Sequence, residues 1–107
     1  MEFRQYDVYV FDPEPAKGHE IRKIRPCAII SPDELNRHLA TVIIAPVTTK
    51  FKSYPFRPAI RLENTSGTIM LDQIRCVDKT RLRKRIGRLS PQTIASVKSI
   101  LDEMLVR

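Results

Sequence analysis

Hydrophobic positions occur in short runs through most of the chain and at helical spacing near its C-terminus. Runs rich in aromatic and β-branched residues, bounded by proline, glycine and polar clusters, are typical of strands. The pattern predicts about five strands, at residues 6–11, 26–31, 41–47, 57–62 and 68–78. The third run, TVIIAPV, is apolar throughout and predicts a strand that is buried on both faces.

The segments between these runs are polar and often basic. Residues 12–25 contain two prolines and a glycine, which predicts a long loop, and long loops in compact domains are often functional. Asp72 and Gln73 interrupt the fifth predicted strand with polar side chains. The other connections are predicted as a loop or short turn at 32–40, a basic loop at 48–56, a turn at 63–67 and a basic, irregular segment at 79–89.

Residues 90–105 show the period of a helix. Ser90 is a suitable N-cap, and Pro91 fits the first helical position. One apolar face is formed by Ile94, Val97, Leu101, Met104 and Leu105. Strands followed by a single helix predict an α+β, mainly β fold, namely a small antiparallel barrel or curled sheet capped by a C-terminal helix.

Length and charge narrow the class of protein. A chain of 107 residues predicts one domain, over residues 1–107, that can bury a core without disulfides. Hydrophobic residues make up 42%, which argues against disorder. Lys and Arg number 19 against 12 Asp and Glu, so the formal charge is +7. This excess favours a polyanionic partner, nucleic acid or an acidic protein, although many small basic proteins bind no nucleic acid.

The cysteines and the N-terminus indicate the compartment. Cys27 and Cys76 lie far apart in apolar runs, without the spacing of a metal site, and are predicted to be buried free thiols in a reducing compartment. The N-terminal segment MEFRQYDVYVFD lacks the apolar core of a signal peptide, and no apolar run reaches membrane-spanning length. The sequence therefore predicts a soluble, cytoplasmic protein without membrane contact.

Few of the common catalytic groups are present. The histidines are His19 and His38, and there is no GxSxG motif, phosphate-binding glycine loop or metal-ligand cluster. The remaining groups suffice to cleave RNA, because RNA carries its own nucleophile in the 2′-OH beside the scissile phosphate. A carboxylate can accept that proton, a guanidinium can hold the phosphorane oxygens, and a hydroxyl can bind a non-bridging oxygen.

Glu20, Arg25 and Thr48 are candidates for these three roles. Arg25 precedes the second predicted strand and Thr48 follows the third, so the two side chains meet at one sheet edge if the strands are neighbours. Glu20 would approach from the long loop. Each residue also has an ordinary interpretation, as a solvated loop charge, a surface cation or a turn residue. Composition and spacing alone do not decide between these interpretations.

Three segments resemble, in order and separation, the successive sequence blocks of MazF/PemK-type toxins. They are GHEIRKIRPCAIISPDELNRH, TVIIAPVTTKFKSYPF and GTIMLDQIRCVDKTRLRKRIGRLS, and the resemblance covers residues 6–105. It implies the toxin of a type II toxin–antitoxin system, acting as a sequence-specific, metal-independent endoribonuclease. Cleavage of single-stranded RNA through the 2′-OH would leave 2′,3′-cyclic phosphate and 5′-OH ends. The implied fold is a small SH3-like barrel with helices, shared with the gyrase-poisoning toxin CcdB.

The resemblance also assigns residues to roles. The family's catalytic glutamate, the arginine of its RP pair and the first threonine of its TT pair fall on Glu20, Arg25 and Thr48. The charged entrance to the second strand is then the RNA-binding lip of the active site. The position before the glutamate is often serine in the family and is His19 here, so a part for His19 in proton transfer is left open.

The predicted RNA contacts are basic, polar or aromatic side chains near these three residues or on the basic segment. They are Lys17, His19, Arg22, Lys23, Thr49, Lys50, Lys52, Tyr54, Phe56, Gln73, Arg83, Lys84 and Arg85. Aromatic rings can stack on unpaired bases, and cations can follow the phosphate backbone. Two alternatives stay open: the rings of Tyr54 and Phe56 could pack against the barrel, and the basic segment could simply be solvated.

The resemblance implies partners but neither a cofactor nor a metal. The partners are single-stranded RNA, a cognate acidic antitoxin and a second copy of the chain in a homodimer. Two functions of other classes are also compatible with the fold: a CcdB-like toxin that inhibits gyrase, and a non-catalytic RNA-binding barrel. The set of Glu20, Arg25 and Thr48 argues against both, because neither function requires a carboxylate among the cations.

Overall fold

The computed structural model describes residues 2–13, 24–50, 54–62 and 65–107. Within these residues the chain forms seven strands and two α-helices. The strands are β1 (Asp7–Phe11), β2 (Arg25–Ile29), β3 (Thr41–Thr48), β4 (Ala59–Leu62), β5 (Thr65–Ile69), β6 (Arg75–Asp78) and β7 (Leu82–Arg88). The helices are α1 (Asp33–His38) and α2 (Pro91–Leu101), and a π-helical segment, Asp102–Val106, continues α2.

The strands pair antiparallel in the order β4-β5-β3-β2-β1-β7, and β6 pairs with β3 beside this path. The strands at the two ends of the order approach each other: a Cβ added at Gly87 of β7 would lie 3.2 Å from Cδ2 of Leu62 in β4. The sheet is thus a half-barrel, with α2 following it. This confirms the predicted mainly-β, antiparallel barrel with a C-terminal helix.

The central strands bury side chains on both faces, because successive residues of a strand point to opposite sides. Val8 and Ala45 belong to one hydrophobic cluster, which Val97 of α2 joins. Tyr9 and Ile44 belong to the other. β3 contributes to both clusters, so the prediction that TVIIAPV is buried on both faces is confirmed.

Helix α2 begins as its sequence predicts. The Ser90 side chain accepts a hydrogen bond from the backbone N–H of Thr93 at 3.1 Å, and Pro91 occupies the first turn. Val97 is fully buried against the sheet. The regular helix ends at Leu101, four residues before the predicted end, and the chain continues in the wider π-helical winding.

The segment predicted as a loop or short turn at 32–40 contains helix α1, so that prediction is wrong. Asn36, in the middle of the helix, anchors it to the preceding segment: its side chain is buried and donates a hydrogen bond to the backbone carbonyl of Ser31 at 2.9 Å. Acidic residues in its first turn and basic residues in its last complement the helix dipole. A six-residue helix shows too little apolar periodicity to be recognised in the sequence.

Two predictions for the second half of the chain are also wrong. The strand predicted at 68–78 is divided into β5 and β6 by a 3₁₀ turn at Leu71–Gln73, where the polar interruption lies, and β5 begins within the predicted turn. The segment predicted as irregular at 79–89 forms β7, which pairs with β1. Its cations obscured the strand pattern, in which Leu82 is buried and Ile86 half-buried.

The cysteines differ in environment. Cys27 is buried in β2, as predicted, whereas Cys76 on β6 is exposed, so the prediction of burial is wrong for Cys76. β6 lies beside the main strand order, which leaves its outer face uncovered. Within the described part of the chain, no helix has the length and apolar character needed to cross a membrane.

Candidate active site

A cleft of about 330 Å³ lies where β2 begins and β3 ends. It is lined by Ile24, Arg25, Pro26, Val47, Thr48, Thr49 and Lys50. Its charged groups are therefore Arg25 and Lys50, and no carboxylate of the described residues lines it. The structure thus brings two of the three predicted catalytic residues, and two of the predicted RNA contacts, into one positively charged cleft.

The pairing of β2 with β3 explains why Arg25 and Thr48 meet. Cys27 lies opposite Pro46 in the antiparallel ladder. Continuing this register towards the strand ends places Arg25 opposite Thr48. Side chains of directly opposite residues lie on the same face of a sheet, with Cβ atoms about 5 Å apart. A guanidinium and a hydroxyl can therefore reach the same small anion.

Arg25 is available to a ligand. It is half-buried at the first position of β2, where it lies opposite Phe11 of β1. Among the described residues, none forms an ion pair or hydrogen bond with its guanidinium. A planar guanidinium without a protein carboxylate retains its paired donors for phosphate oxygens.

Thr48 is held at the end of β3 by its neighbours. Its Oγ1 accepts a hydrogen bond from the backbone N–H of Lys50 at 3.1 Å, which leaves the hydroxyl proton free to donate. On the other side β5 approaches very closely, since a Cβ at Gly67 would lie 2.1 Å from the Thr48 carbonyl oxygen. Only glycine permits this approach, and it fixes the backbone that carries the hydroxyl.

Several predicted site residues fall outside the described residues. They are the proposed base Glu20 and the predicted RNA contacts Lys17, His19, Arg22, Lys23 and Lys52. Ile24, the first described residue after this stretch, is exposed and lines the cleft.

The predicted aromatic contacts form a cluster of their own. The rings of Tyr54 and Phe56 lie edge to face with centroids 5.1 Å apart. The guanidinium of Arg57 lies 5.1 Å from the Tyr54 centroid and forms two hydrogen bonds with Asp72. Tyr54 is 39% exposed, so its ring is not packed into the barrel. Gln73 is exposed beside this cluster.

Sequence reasoning missed Arg57 and Asp72. Asp72 was visible only as a polar interruption of a strand, and Arg57 only as the residue after the aromatic pair. Their bonding joins positions 15 residues apart across a hairpin. No local pattern shows such a pairing, although a charged residue next to Tyr-Pro-Phe was a weak signal.

The basic residues of β7 are partly used within the fold. Arg83 pairs with Asp12 at 2.8 Å, and Arg85 pairs with Asp7 at 3.0 Å. Asp7 is buried and also bonds to Arg88. Its hydrogen bonds and negative charge raise the pKa of Arg85 above its usual value. Lys84 is exposed, so the predicted RNA-contacting segment contains two cations with partners in the protein and one facing solvent.

The protein is thus a small, curled antiparallel half-barrel with a cationic, hydroxyl-bearing cleft at its strand ends. The sequence profile of PemK-like, MazF-like toxins of type II toxin–antitoxin systems matches residues 4–105. The match spans nearly the whole chain, and the protein belongs to this family.

Individual relatives agree in sequence and in fold. Endoribonuclease MazF of Staphylococcus saprophyticus is 32% identical over 105 residues, which cover 92% of this chain and 88% of the relative. An endoribonuclease from Mycobacterial species, in complex with its cognate antitoxin, shares 25% identity and a TM-score of 0.79, covering 95% and 93% of the two chains. A MazE–MazF structure from Deinococcus radiodurans has a TM-score of 0.86 at 24% identity, covering 98% and 96%, and shows the same fold.

Proposed function

We propose that this protein is an endoribonuclease toxin of a type II toxin–antitoxin system that cleaves single-stranded RNA at specific sequences. The observation that carries the proposal is the cleft that Arg25 and Thr48 line together, in which Arg25 has no carboxylate partner among the described residues. Membership of the toxin family and the Staphylococcus saprophyticus relative, named an endoribonuclease, support it.

The proposed reaction is transesterification within the RNA. The 2′ oxygen attacks the adjacent phosphorus while Glu20 accepts its proton, and the bond from phosphorus to the 5′ oxygen breaks. Arg25 holds the equatorial oxygens of the phosphorane and offers donors towards the leaving oxygen, which takes up a proton. Thr48 donates to a non-bridging oxygen. The products are a 2′,3′-cyclic phosphate and a 5′-OH.

The charge-stabilising groups of this scheme belong to the chain. Arg25 supplies a fixed positive charge in the cleft, and Lys50 adds a second on its rim. Together they supply the charge neutralisation for which many phosphoryl-transfer enzymes use a divalent ion. The proposed reaction therefore needs no metal and no cofactor.

The proposed partners follow from charge and size. A protein with a formal charge of +7 and a cationic cleft suits an acidic antitoxin segment that folds on binding and covers the RNA path. A cleft of about 330 Å³ holds little more than the reacting phosphate and its neighbours. A homodimer would supply a longer groove for a strand of several nucleotides. As proposed, the protein acts as a single domain and is located in the cytoplasm.

The test of the chemistry is cleavage of a chimeric oligonucleotide in EDTA. An all-RNA substrate should be cut without added metal, and a single deoxyribose on the 5′ side of the cleaved bond should abolish cutting there. Cutting at the deoxyribose, or loss of all-RNA cleavage in EDTA, would contradict the mechanism. A DNA supercoiling assay with gyrase tests the CcdB-like alternative on the same sample.

A further inference from the structure

Arg57 is largely buried and is paired with a carboxylate through two hydrogen bonds. Its Nε donates to Oδ1 of Asp72 at 2.9 Å and its Nη2 to Oδ2 at 2.8 Å, so the two groups form a bidentate pair. The side chains are 16% and 31% exposed. The hydrogen bonds from Arg57 hold the pKa of Asp72 below its usual value. Such a pair fixes the orientation of the guanidinium plane as well as its position.

The same guanidinium contacts both predicted RNA-binding rings. Its carbon lies 5.1 Å from the centroid of Tyr54 and 5.9 Å from that of Phe56. The backbone N–H of Arg57 also donates to the Tyr54 carbonyl at 3.1 Å, which closes the turn that carries the rings. Arg57 therefore contacts both rings and closes the backbone of the aromatic turn, residues 54–57.

Asp72 anchors this turn to the strand that carries Thr48. Asp72 lies in the 3₁₀ turn beside Leu71, which is fully buried, and the preceding Met70 N–H donates to the carbonyl of Pro46 in β3 at 2.8 Å. A second link runs from Ile69 N–H to the carbonyl of Pro58 at 2.9 Å. The aromatic turn is thus connected on two sides to the backbone around the cleft.

The aromatic turn is also within reach of the cleft. Tyr54 follows Lys50 by four positions, so their Cα atoms are at most about 14 Å apart. Ala59 lies opposite Thr68, which lies opposite Thr48, so two strand spacings of about 4.8 Å separate Ala59 from Thr48. In an extended single strand, a base next to the reacting nucleotide can therefore reach the aromatic turn while the scissile phosphate lies in the cleft.

We propose that Arg57 and Asp72 are positioning residues, which hold the exposed ring of Tyr54 as a stacking platform for an RNA base flanking the scissile phosphate. This inference rests on the proposed function. A ring fixed before binding loses no rotational freedom when a base stacks on it, which raises affinity. Because the Nε and Nη2 groups of Arg57 donate to Asp72, we expect Arg57 to affect RNA binding by positioning Tyr54 rather than by contacting a phosphate.

Binding to a non-cleavable probe tests the platform separately from catalysis. The probe is a labelled 2′-O-methyl oligonucleotide of about 12 nucleotides, within the site sizes of such grooves. Its sequence is the site mapped by cleavage of a long mixed-sequence RNA, or a randomised pool if no cleavage occurs. Arg57→Gln and Asp72→Asn should each weaken binding about tenfold, the scale of one base–aromatic stack. The matched control is Arg61→Gln, which removes an equal charge from an exposed position on β4 and should change binding less than about twofold.

A thermodynamic cycle distinguishes positioning from direct contact. Tyr54→Ala should weaken binding to a similar extent, and adding Arg57→Gln to it should cost little more, because the ring that Arg57 holds is already absent. Fully additive losses would overturn the proposal and assign Arg57 a contact of its own.

Abasic substitution along the probe supplies a readout that a merely structural role would not change. At one position of the probe, the abasic replacement should weaken binding to the wild-type protein but leave binding to Arg57→Gln unchanged. If the abasic profile is unchanged while only the melting temperature falls, the pair stabilises the fold alone and the proposal is wrong. If the wild-type protein cleaves RNA while Arg57→Gln and Arg61→Gln bind alike, the platform fails and the proposed function stands. If the wild-type protein binds the probe with the predicted abasic profile but cleaves no RNA, the platform stands and the proposed function fails.

Discussion

At the scale of single residues, Arg25 is the residue on which the proposed chemistry most depends. It lies at the start of β2, is half-buried in the cleft and has no ion-pair partner among the described residues. A guanidinium that faces an open cleft keeps its charge and its paired donors available to an anionic ligand. Thr48 lies across from it with a donor to spare.

Substitution of Arg25 should be the most damaging change at the described site. Arg25→Ala should lower kcat/KM for RNA cleavage by about 10² to 10³, the scale for loss of one electrostatic donor. Arg25→Lys should recover little, because an ammonium lacks the planar fork. Glu20→Gln should cost about 10² to 10⁴ and Thr48→Ala less. Arg61→Ala on β4 is the control; full activity in Arg25→Lys would exclude the proposed role.

The two thiols should differ in reactivity. Burial raises the pKa of Cys27 to about 12, whereas Cys76 is exposed. Thiol titration of the native protein near pH 8 should therefore detect one fast thiol, lost in Cys76→Ser, and two after denaturation. Above the ordinary thiol pKa of 9.0 the unfolded chain ionises at Cys27 while the folded chain does not, so the Cys27 contribution to stability falls as pH rises from 9 towards 12. Two fast native thiols would contradict this assignment.

At the scale of elements, the position of β5 against β3 determines how Thr48 is presented. Thr68 lies opposite Thr48 in the ladder, and Gly67 lets the two backbones come together. β3 is also paired with β2, so the end of β3 is held from both sides at the point where the cleft opens. The backbone of Thr48 is therefore placed by strand pairing, and the N–H of Lys50 in the following loop orients its hydroxyl.

Gly67→Ala should disturb both stability and activity. The added Cβ would lie 2.1 Å from the Thr48 carbonyl oxygen, so the strands must separate. We expect a loss of about 1–3 kcal/mol in the free energy of unfolding, measured by urea denaturation, and reduced cleavage. Gly87→Ala is the matched control, because its Cβ would meet only the movable end of Leu62 at 3.2 Å. Equal effects of the two changes would show that the close approach at Gly67 is unimportant.

At the scale of the whole molecule, the net charge is +7, but the basic side chains are not equally available to bind RNA. Arg57, Arg83 and Arg85 are paired with carboxylates within the fold. Arg25 and Lys50 line the cleft without such partners among the described residues. RNA attraction should thus concentrate at the cleft, whose small volume favours a groove extended by a second copy of the chain.

Light scattering at micromolar concentration should give twice the chain mass of 12.4 kDa. The physical reason is that a single small barrel offers little concave surface beside the cleft for a strand of several nucleotides, and a second copy would extend it. Dilution across the dissociation range should reduce cleavage together with the dimer fraction. A monomer that retains full, sequence-specific cleavage would contradict this prediction.

Local patterns were sufficient for a large part of the fold. The aromatic and β-branched runs of the first three strands and the capped period of α2 are set by neighbouring residues, so their positions were predicted to within a few residues. The order of Arg25 before β2 and Thr48 at the end of β3 also allowed their meeting to be anticipated, on the condition that the strands were neighbours. The pairing of β2 with β3 fulfils that condition.

The sequence by itself therefore determined the mainly-β class and the C-terminal helix, because each depends on side chains close together in the chain. It also identified Arg25 and Thr48 as candidates, but whether they meet depends on the pairing of β2 with β3. Only the tertiary structure decided that the basic segment is strand β7, since β1 supplies its ladder partners and Asp7 pairs with both Arg85 and Arg88. It likewise decided the pairing of Arg57 with Asp72 and the exposure of Cys76. These features depend on contacts between positions that are distant in the chain. Whether a charged group finds a partner, or a thiol faces solvent, is decided only when the sheet curls and brings such positions together.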